Sequence, residues 1–95
     1  MTSARDTGSP GTAAEVRGVL TRVGPSWTRE VDLRDDLPLG EQGLGLDSVA
    51  IAELLIACER HFGVRCPASL LRSGPLTIAR LASHMDAGRG QGVQS

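Results

Sequence analysis

Apolar residues recur along this chain in groups, three of them at helical spacing. Val16, Val19, Leu20 and Val23 fall at i, i+3, i+4 and i+7, which lays one stripe along a helix. Ile51, Leu54, Leu55, Cys58 and Phe62 continue that spacing to i+11, and Ile78, Leu81, Ala82 and Met85 repeat it. Each stripe predicts a helix with one buried face.

The punctuation between the stripes sets the expected ends. Thr12 with Glu15 three residues on matches a capping box, and Gly24-Pro25 reads as a left-handed glycine cap followed by a stop. Asp47 or Ser48 can cap the second helix, and Gly63 can end it. Pro67 is placed for the first turn of a short third helix, closed by Ser73-Gly74-Pro75. Thr77 can open the fourth helix, and Gly88 is expected to end it.

Between the first two helices lie about 23 residues without strong periodicity, too long for an idle connection. Val31, Leu33, Leu37 and Leu39 are spaced to pin this segment onto the helices, Leu33 to Leu37 can form a helical turn, and Trp27 is expected to anchor its root. No strand pattern competes. The expected fold is all-α: a small four-helix bundle with three main helices, one short helix and a long loop between helices one and two. The folded domain is expected at 12–87, with disordered polar tails at 1–11 and 88–95.

Composition narrows the function. The chain has 95 residues and a formal net charge of −1, which speaks against a basic nucleic-acid binder or a basic membrane-surface protein. A DNA reader would need a basic recognition helix, and the best helix, 48–62, carries two acids and one arginine. No apolar run reaches membrane-spanning length, and the start MTSARDTGSPGT lacks a secretion signal's apolar segment. A soluble cytoplasmic monomer is the expectation. Cys58 and Cys66 are too few for a zinc site and are expected as free thiols, Cys58 in the core and Cys66 partly exposed. No base is patterned with Ser48 or Cys66 for nucleophilic catalysis. His61 and His84 read as surface or boundary residues.

Charge is unevenly spread. From Glu30 to Glu59 there are eight acids (Glu30, Asp32, Asp35, Asp36, Glu41, Asp47, Glu53, Glu59) and one base, Arg34. This places −7 around the start of the second helix and favours partners with basic patches.

The chemistry-bearing candidate is Ser48. A hydroxyl at a helix N-terminus can cap the helix. It can also carry a phosphodiester, whose charge the helix dipole and unpaired N–H groups favour. Gly43 and Gly45 let the preceding loop bend and leave the serine accessible.

Leu44-Gly45-Leu46-Asp47-Ser48-Val49, followed by the stripe of the second helix, resembles the phosphopantetheine attachment motif of acyl carrier proteins. The likeness extends to helix order, long first loop and short third helix, over roughly residues 12–87. It implies 4'-phosphopantetheine esterified to Ser48, Asp47 as the adjacent acid, and acyl groups carried as thioesters. By the same resemblance Val49, Ala52, Glu53 and Ile56 lie on the partner-contacting face. The charge pattern adds Asp35, Asp36 and Glu41 to that face.

The implied partners are a phosphopantetheinyl transferase, with Mg²⁺ on the transferase, and acyl-loading and condensing enzymes. The chain itself is then no enzyme but a free-standing carrier. The sparse acids of the second helix lean toward polyketide or related specialised metabolism, with fatty-acid-type synthesis also open. The alternative is a peptidyl or aminoacyl carrier of a nonribosomal pathway. That related family usually places Gly-Gly-His or Gly-Gly-Asp before the serine, where this chain has Gly45-Leu46-Asp47. A helical interaction module without a prosthetic group is the remote alternative.

Overall fold

A computed structural model describes residues 10–94 apart from 68 and 73. Four α-helices form in chain order: α1 (Pro10–Val23), α2 (Ser48–Phe62), α3 (Ser69–Arg72) and α4 (Ile78–Gln94). A 3-10 helix, Ser26–Glu30, follows α1. Among the described residues there is no strand, only an isolated bridge between Pro38 and Thr77. The all-α expectation holds.

The three stripes meet as expected. Val16, Val19, Leu20, Leu54, Cys58, Ile78, Leu81, Ala82 and Met85 are essentially solvent-free, and α1 packs against both α2 and α4. Burial of such aliphatic side chains supplies about 1.5–3 kcal/mol each. With Phe62 the single phenylalanine and Trp27 outside the core, the interior is almost wholly aliphatic. α1 runs antiparallel to α4: the Thr12 hydroxyl donates to Asp86 Oδ1 at 2.6 Å, while Arg17, further along α1, pairs with Asp35. Asp35 in turn accepts Ala79 N–H on its carbonyl at 2.9 Å, in the first turn of α4.

Several helix ends differ from the sequence reading. α1 starts at Pro10, so Thr12 and Glu15 form no capping box. Thr12 is buried and bonded to Asp86, and Glu15 faces His61 at 3.4 Å. Gly24 does follow α1, but the positive-φ glycines described are Gly45, Gly63 and Gly74. Gly24 is required for closeness instead, because a Cβ there would stand 2.7 Å from the Leu20 carbonyl oxygen. Helix α4 continues through Gly88 to Gln94, so the backbone at 88–94 extends α4 instead of starting a separate tail. Gly88 accommodates Val64, whose methyl groups would overlap a Cβ there. At the other end, residues 1–9 of the expected tail lie outside the described residues.

The long loop is ordered by its own hydrogen bonds and by two leucines. Leu39 (0% exposed) and Leu46 (2%) enter the core. Their backbones pair, Leu46 N–H donating to Leu39 O at 2.9 Å, and Leu39 N–H donates to Leu76 O at 2.9 Å. Leu33 is buried as expected, but Val31 is exposed and Leu37 half-buried. The segment from Leu33 to Leu37 makes one turn, closed by Leu37 N–H on Arg34 O at 3.2 Å, and no helix.

Trp27 does not anchor the loop's root. It is 42% exposed and lines a shallow depression with Val31, Leu37 and Leu44. The buried residue of the 3-10 turn is Thr28, whose hydroxyl donates to Pro25 O at 2.7 Å.

On the far side, Arg80 gathers three carbonyls. Its guanidinium donates to Gly74 O, Pro75 O and Leu70 O at 2.8–3.0 Å, fastening α3 and the turn after it to α4.

Candidate functional site

The site begins in the tight loop that delivers α2. Leu44 N–H donates to Pro38 O at 2.8 Å, and Gly43 and Gly45 N–H both reach Gly40 O. Gly43 sits against Pro38 so closely that a Cβ would overlap the Pro38 carbonyl oxygen. Gly45 adopts φ of 95°, a left-handed conformation that favours glycine. Buried Leu46 then fixes the chain immediately before Asp47 and Ser48.

Asp47 caps α2. Its Oδ1 accepts Ala50 N–H at 2.8 Å, and its carbonyl accepts Ile51 N–H at 3.0 Å. Ser48 is therefore the first residue of the helix itself. Its side chain is exposed and makes no hydrogen bond among the described residues. The bland role for a serine here, capping, belongs to its neighbour. Gly63, at φ of 71°, ends α2 as expected.

This geometry fits a phosphodiester on Ser48. An exposed primary alcohol stands at the positive end of a four-turn helix, where first-turn N–H groups lack intrahelical partners. The Asp47 carboxylate is directed onto the Ala50 amide, which moderates the repulsion between two neighbouring anions. A phosphopantetheine group held there would supply a thiol at the end of a long flexible arm.

The other expected residues fall into two sets. Val49 (64% exposed), Ala52, Glu53 and Ile56 (52% exposed) share the outward face of α2 at i, i+3, i+4 and i+7. Glu41 is exposed and joins Pro38, Gly40, Ile51, Leu71 and Leu76 around an open depression beside the first turns of α2. Asp36 is exposed, with Arg34 nearby at 3.9 Å. Asp35 stands apart: half-buried and paired with Arg17, it braces the loop onto α1 and α4.

The thiols are withdrawn from solvent. Both cysteines are free and buried, Cys66 at 9% exposure, contrary to the partial exposure expected. Burial pushes the Cys58 thiol up to about 12, with Cys66 adding to the rise and Arg22 opposing it. Burial likewise pushes Cys66 up to about 11, with Glu59 contributing. Glu59 also accepts Cys66 N–H at 2.8 Å, tying the segment after α2 back to the helix. His61 and His84 lie at the surface or its boundary; His84 Nε2 sits 2.6 Å from Arg65 O.

Sequence reasoning missed Arg22. It lines a groove with Val23 of α1 and Glu53, Ile56, Ala57, Arg60 and His61 of α2. No spacing within one helix points to a cation supplied by another.

Among the described residues, no helix is long and apolar enough to cross a membrane, and no group of three or more His, Cys, Asp or Glu is placed to hold a metal ion. The sequence model of the phosphopantetheine attachment site matches residues 28–85, from the 3-10 helix to the middle of α4. No curated protein and no solved structure matches the chain. The match covers more than half of the chain and spans the Asp47-capped helix start, the loop before it and α3. The chain therefore belongs to the phosphopantetheine-binding carrier family, whose members hold a 4'-phosphopantetheine arm covalently on a serine.

Proposed function

We propose that Ser48 is the attachment serine and that the chain is an acyl carrier protein. The observation that carries this reading is the division of labour at the start of α2. Asp47 takes the cap, and Ser48, one residue later, projects an uncommitted hydroxyl into solvent. A transferase reaching this hydroxyl meets a rigid helix end instead of a fraying one. Esterification removes the Ser48 proton and forms the bond to phosphorus as coenzyme A loses its adenosine 3',5'-bisphosphate part. No protein bond at Ser48 has to break first.

Leu46 supports the acyl over the peptidyl assignment, since the position two before the serine holds a buried leucine in place of the glycine common in peptidyl carriers. A specialised pathway such as polyketide synthesis fits the sparse acids of α2. Val49, Ala52, Glu53 and Ile56 form the docking face, with Asp36 and Glu41 beside it. The protein acts in the cytoplasm with a transferase and with acyl-loading and condensing enzymes, and performs no catalysis of its own.

The sequence makes the site test unusually clean. Trypsin cleavage after Arg34 and Arg60 releases residues 35–60, in which Ser48 is the single hydroxyl side chain. After incubation with coenzyme A, Mg²⁺ and a phosphopantetheinyl transferase, the arm is expected on that peptide. An arm on any other peptide would overturn the assignment. Loading the modified protein with acyl thioesters but not with aminoacyl groups by a panel of adenylating enzymes is the expected discrimination. The reverse preference would favour the peptidyl reading.

A further inference from the structure

The outward stripe of α2 does not end with Ile56. It continues at i+11 to Arg60, and along the stretch from Glu53 to His61 α1 adds Arg22 and Val23 to form a groove of about 600 Å³. Glu15 pairs with His61 while Arg22 and Val23 line the groove with Glu53, so the helices run antiparallel along it. The floor is apolar: Val23, Ala57 and the half-exposed Ile56. Both arginines are exposed, and neither makes an ion pair or hydrogen bond among the described residues. Glu53 is the one carboxylate lining the groove among the described residues. His61 is engaged with Glu15, and nearby Glu59 with the Cys66 amide. Arg65 is exposed just beyond Gly63 and extends the cationic end.

Helix dipoles account for bases in last turns. They do not account for an aliphatic floor left open between two unpaired guanidiniums. Such a floor gains free energy only when another apolar group covers it, and arginine is the base best suited to carboxylates at an interface.

We infer that this groove is the docking site for a partner surface bearing an aliphatic side chain flanked by a carboxylate. The inference rests on the carrier reading above and specifies the partner's chemistry. Ser48 and Arg60 are twelve residues apart, about 18 Å along α2. The acidic loop lies toward the Ser48 end, Arg60 and Arg65 toward the other, and Arg22 between them, opposite Glu53 and Ile56. A partner must therefore present bases toward Ser48 and acids toward Arg60. A partner surface that is basic throughout is repelled at one end, which sets both the choice of partner and its orientation.

The probe is an amphipathic helical peptide with Leu on one face flanked by Glu, titrated into ¹⁵N-labelled protein beside the same peptide with Lys for Glu. The acidic peptide is expected to shift the amides of Arg22, Val23 and residues 53–61, with an affinity that falls as salt rises. The double variant Arg22→Glu, Arg60→Glu is expected to weaken that binding at least fivefold. Its circular dichroism should be unchanged, because both side chains are exposed. Shifts confined to other surfaces, or equal binding by the double variant, would overturn the inference. Concentration-dependent shifts of the same amides without peptide would also overturn it, by giving the groove to a second copy of the chain. Phosphopantetheine addition to wild type and double variant, read by intact mass, tests the carrier reading separately. Modification of both proteins with no groove binding would remove the groove alone.

Discussion

The Asp47 carboxylate accepts the backbone N–H of Ala50 at 2.8 Å, spanning over Ser48 and leaving that hydroxyl to solvent. The two side chains therefore divide stability and chemistry between them. Asp47→Ala removes a cap and is expected to cost about 1 kcal/mol. Ser48→Ala removes an exposed hydroxyl at the first helical position and is expected to change stability by less than about 0.5 kcal/mol. Urea denaturation of the two variants measures this. A larger loss for Ser48→Ala than for Asp47→Ala would return the capping role to the serine.

Gly43 has a separate burden. Its backbone lies against the Pro38 carbonyl, with Leu44 N–H bonded to that same oxygen. Gly43→Ala must push the loop off Pro38, and about 2 kcal/mol of stability is expected to be lost. Hydrogen exchange should rise at Leu44 and Leu46, whose amides close the loop. Gly45→Ala meets open space but a positive φ, so its expected cost is smaller, about 1 kcal/mol. Equal, negligible effects at both glycines would mean the loop is not held as described.

The thiols predict an alkaline weakness. Burial raises Cys58 to about 12 and Cys66 to about 11, against an ordinary 9.0. The unfolded chain thus loses these protons first, and stability falls as pH rises above about 9. The slope reaches up to about 1.4 kcal/mol per pH unit for each thiol. The chain has no lysine and no tyrosine, so few other groups titrate in that window. The melting temperature is expected to be flat from pH 7 to 8.5 and to drop steeply by pH 10.5. A Cys58→Ala, Cys66→Ser variant should lose most of that drop, whatever its stability at pH 7. An unchanged profile in the variant would contradict the burial-driven shift.

What was legible in the sequence was local. The stripes and the caps at Asp47, Gly63 and Thr77 act within a few residues, and Arg80 N–H does bond Thr77 Oγ1 at 3.1 Å. The misread positions depend on distant partners. Thr12 looks like a cap until Asp86 arrives from the far end of the chain. Gly88 looks like a stop until Val64 needs its space. Trp27 looks like an anchor because it is large and apolar, but the 3-10 turn directs Thr28 inward and leaves Trp27 at the surface. At the site, the exposure of Val49, Glu53 and Ile56 followed from their being off the buried stripe. The capture of Asp35 by Arg17 and the sharing of one groove by Arg22 and Arg60 required α1 to be laid against the rest.

The proposed function stands or falls on Ser48 as the anchor of the arm. Its most direct test is intact mass after incubation with coenzyme A, Mg²⁺ and a promiscuous phosphopantetheinyl transferase, on wild type and Ser48→Ala side by side. One phosphopantetheine added to wild type and none to a folded Ser48→Ala is the expected result. Addition to Ser48→Ala, or none to folded wild type, would contradict it.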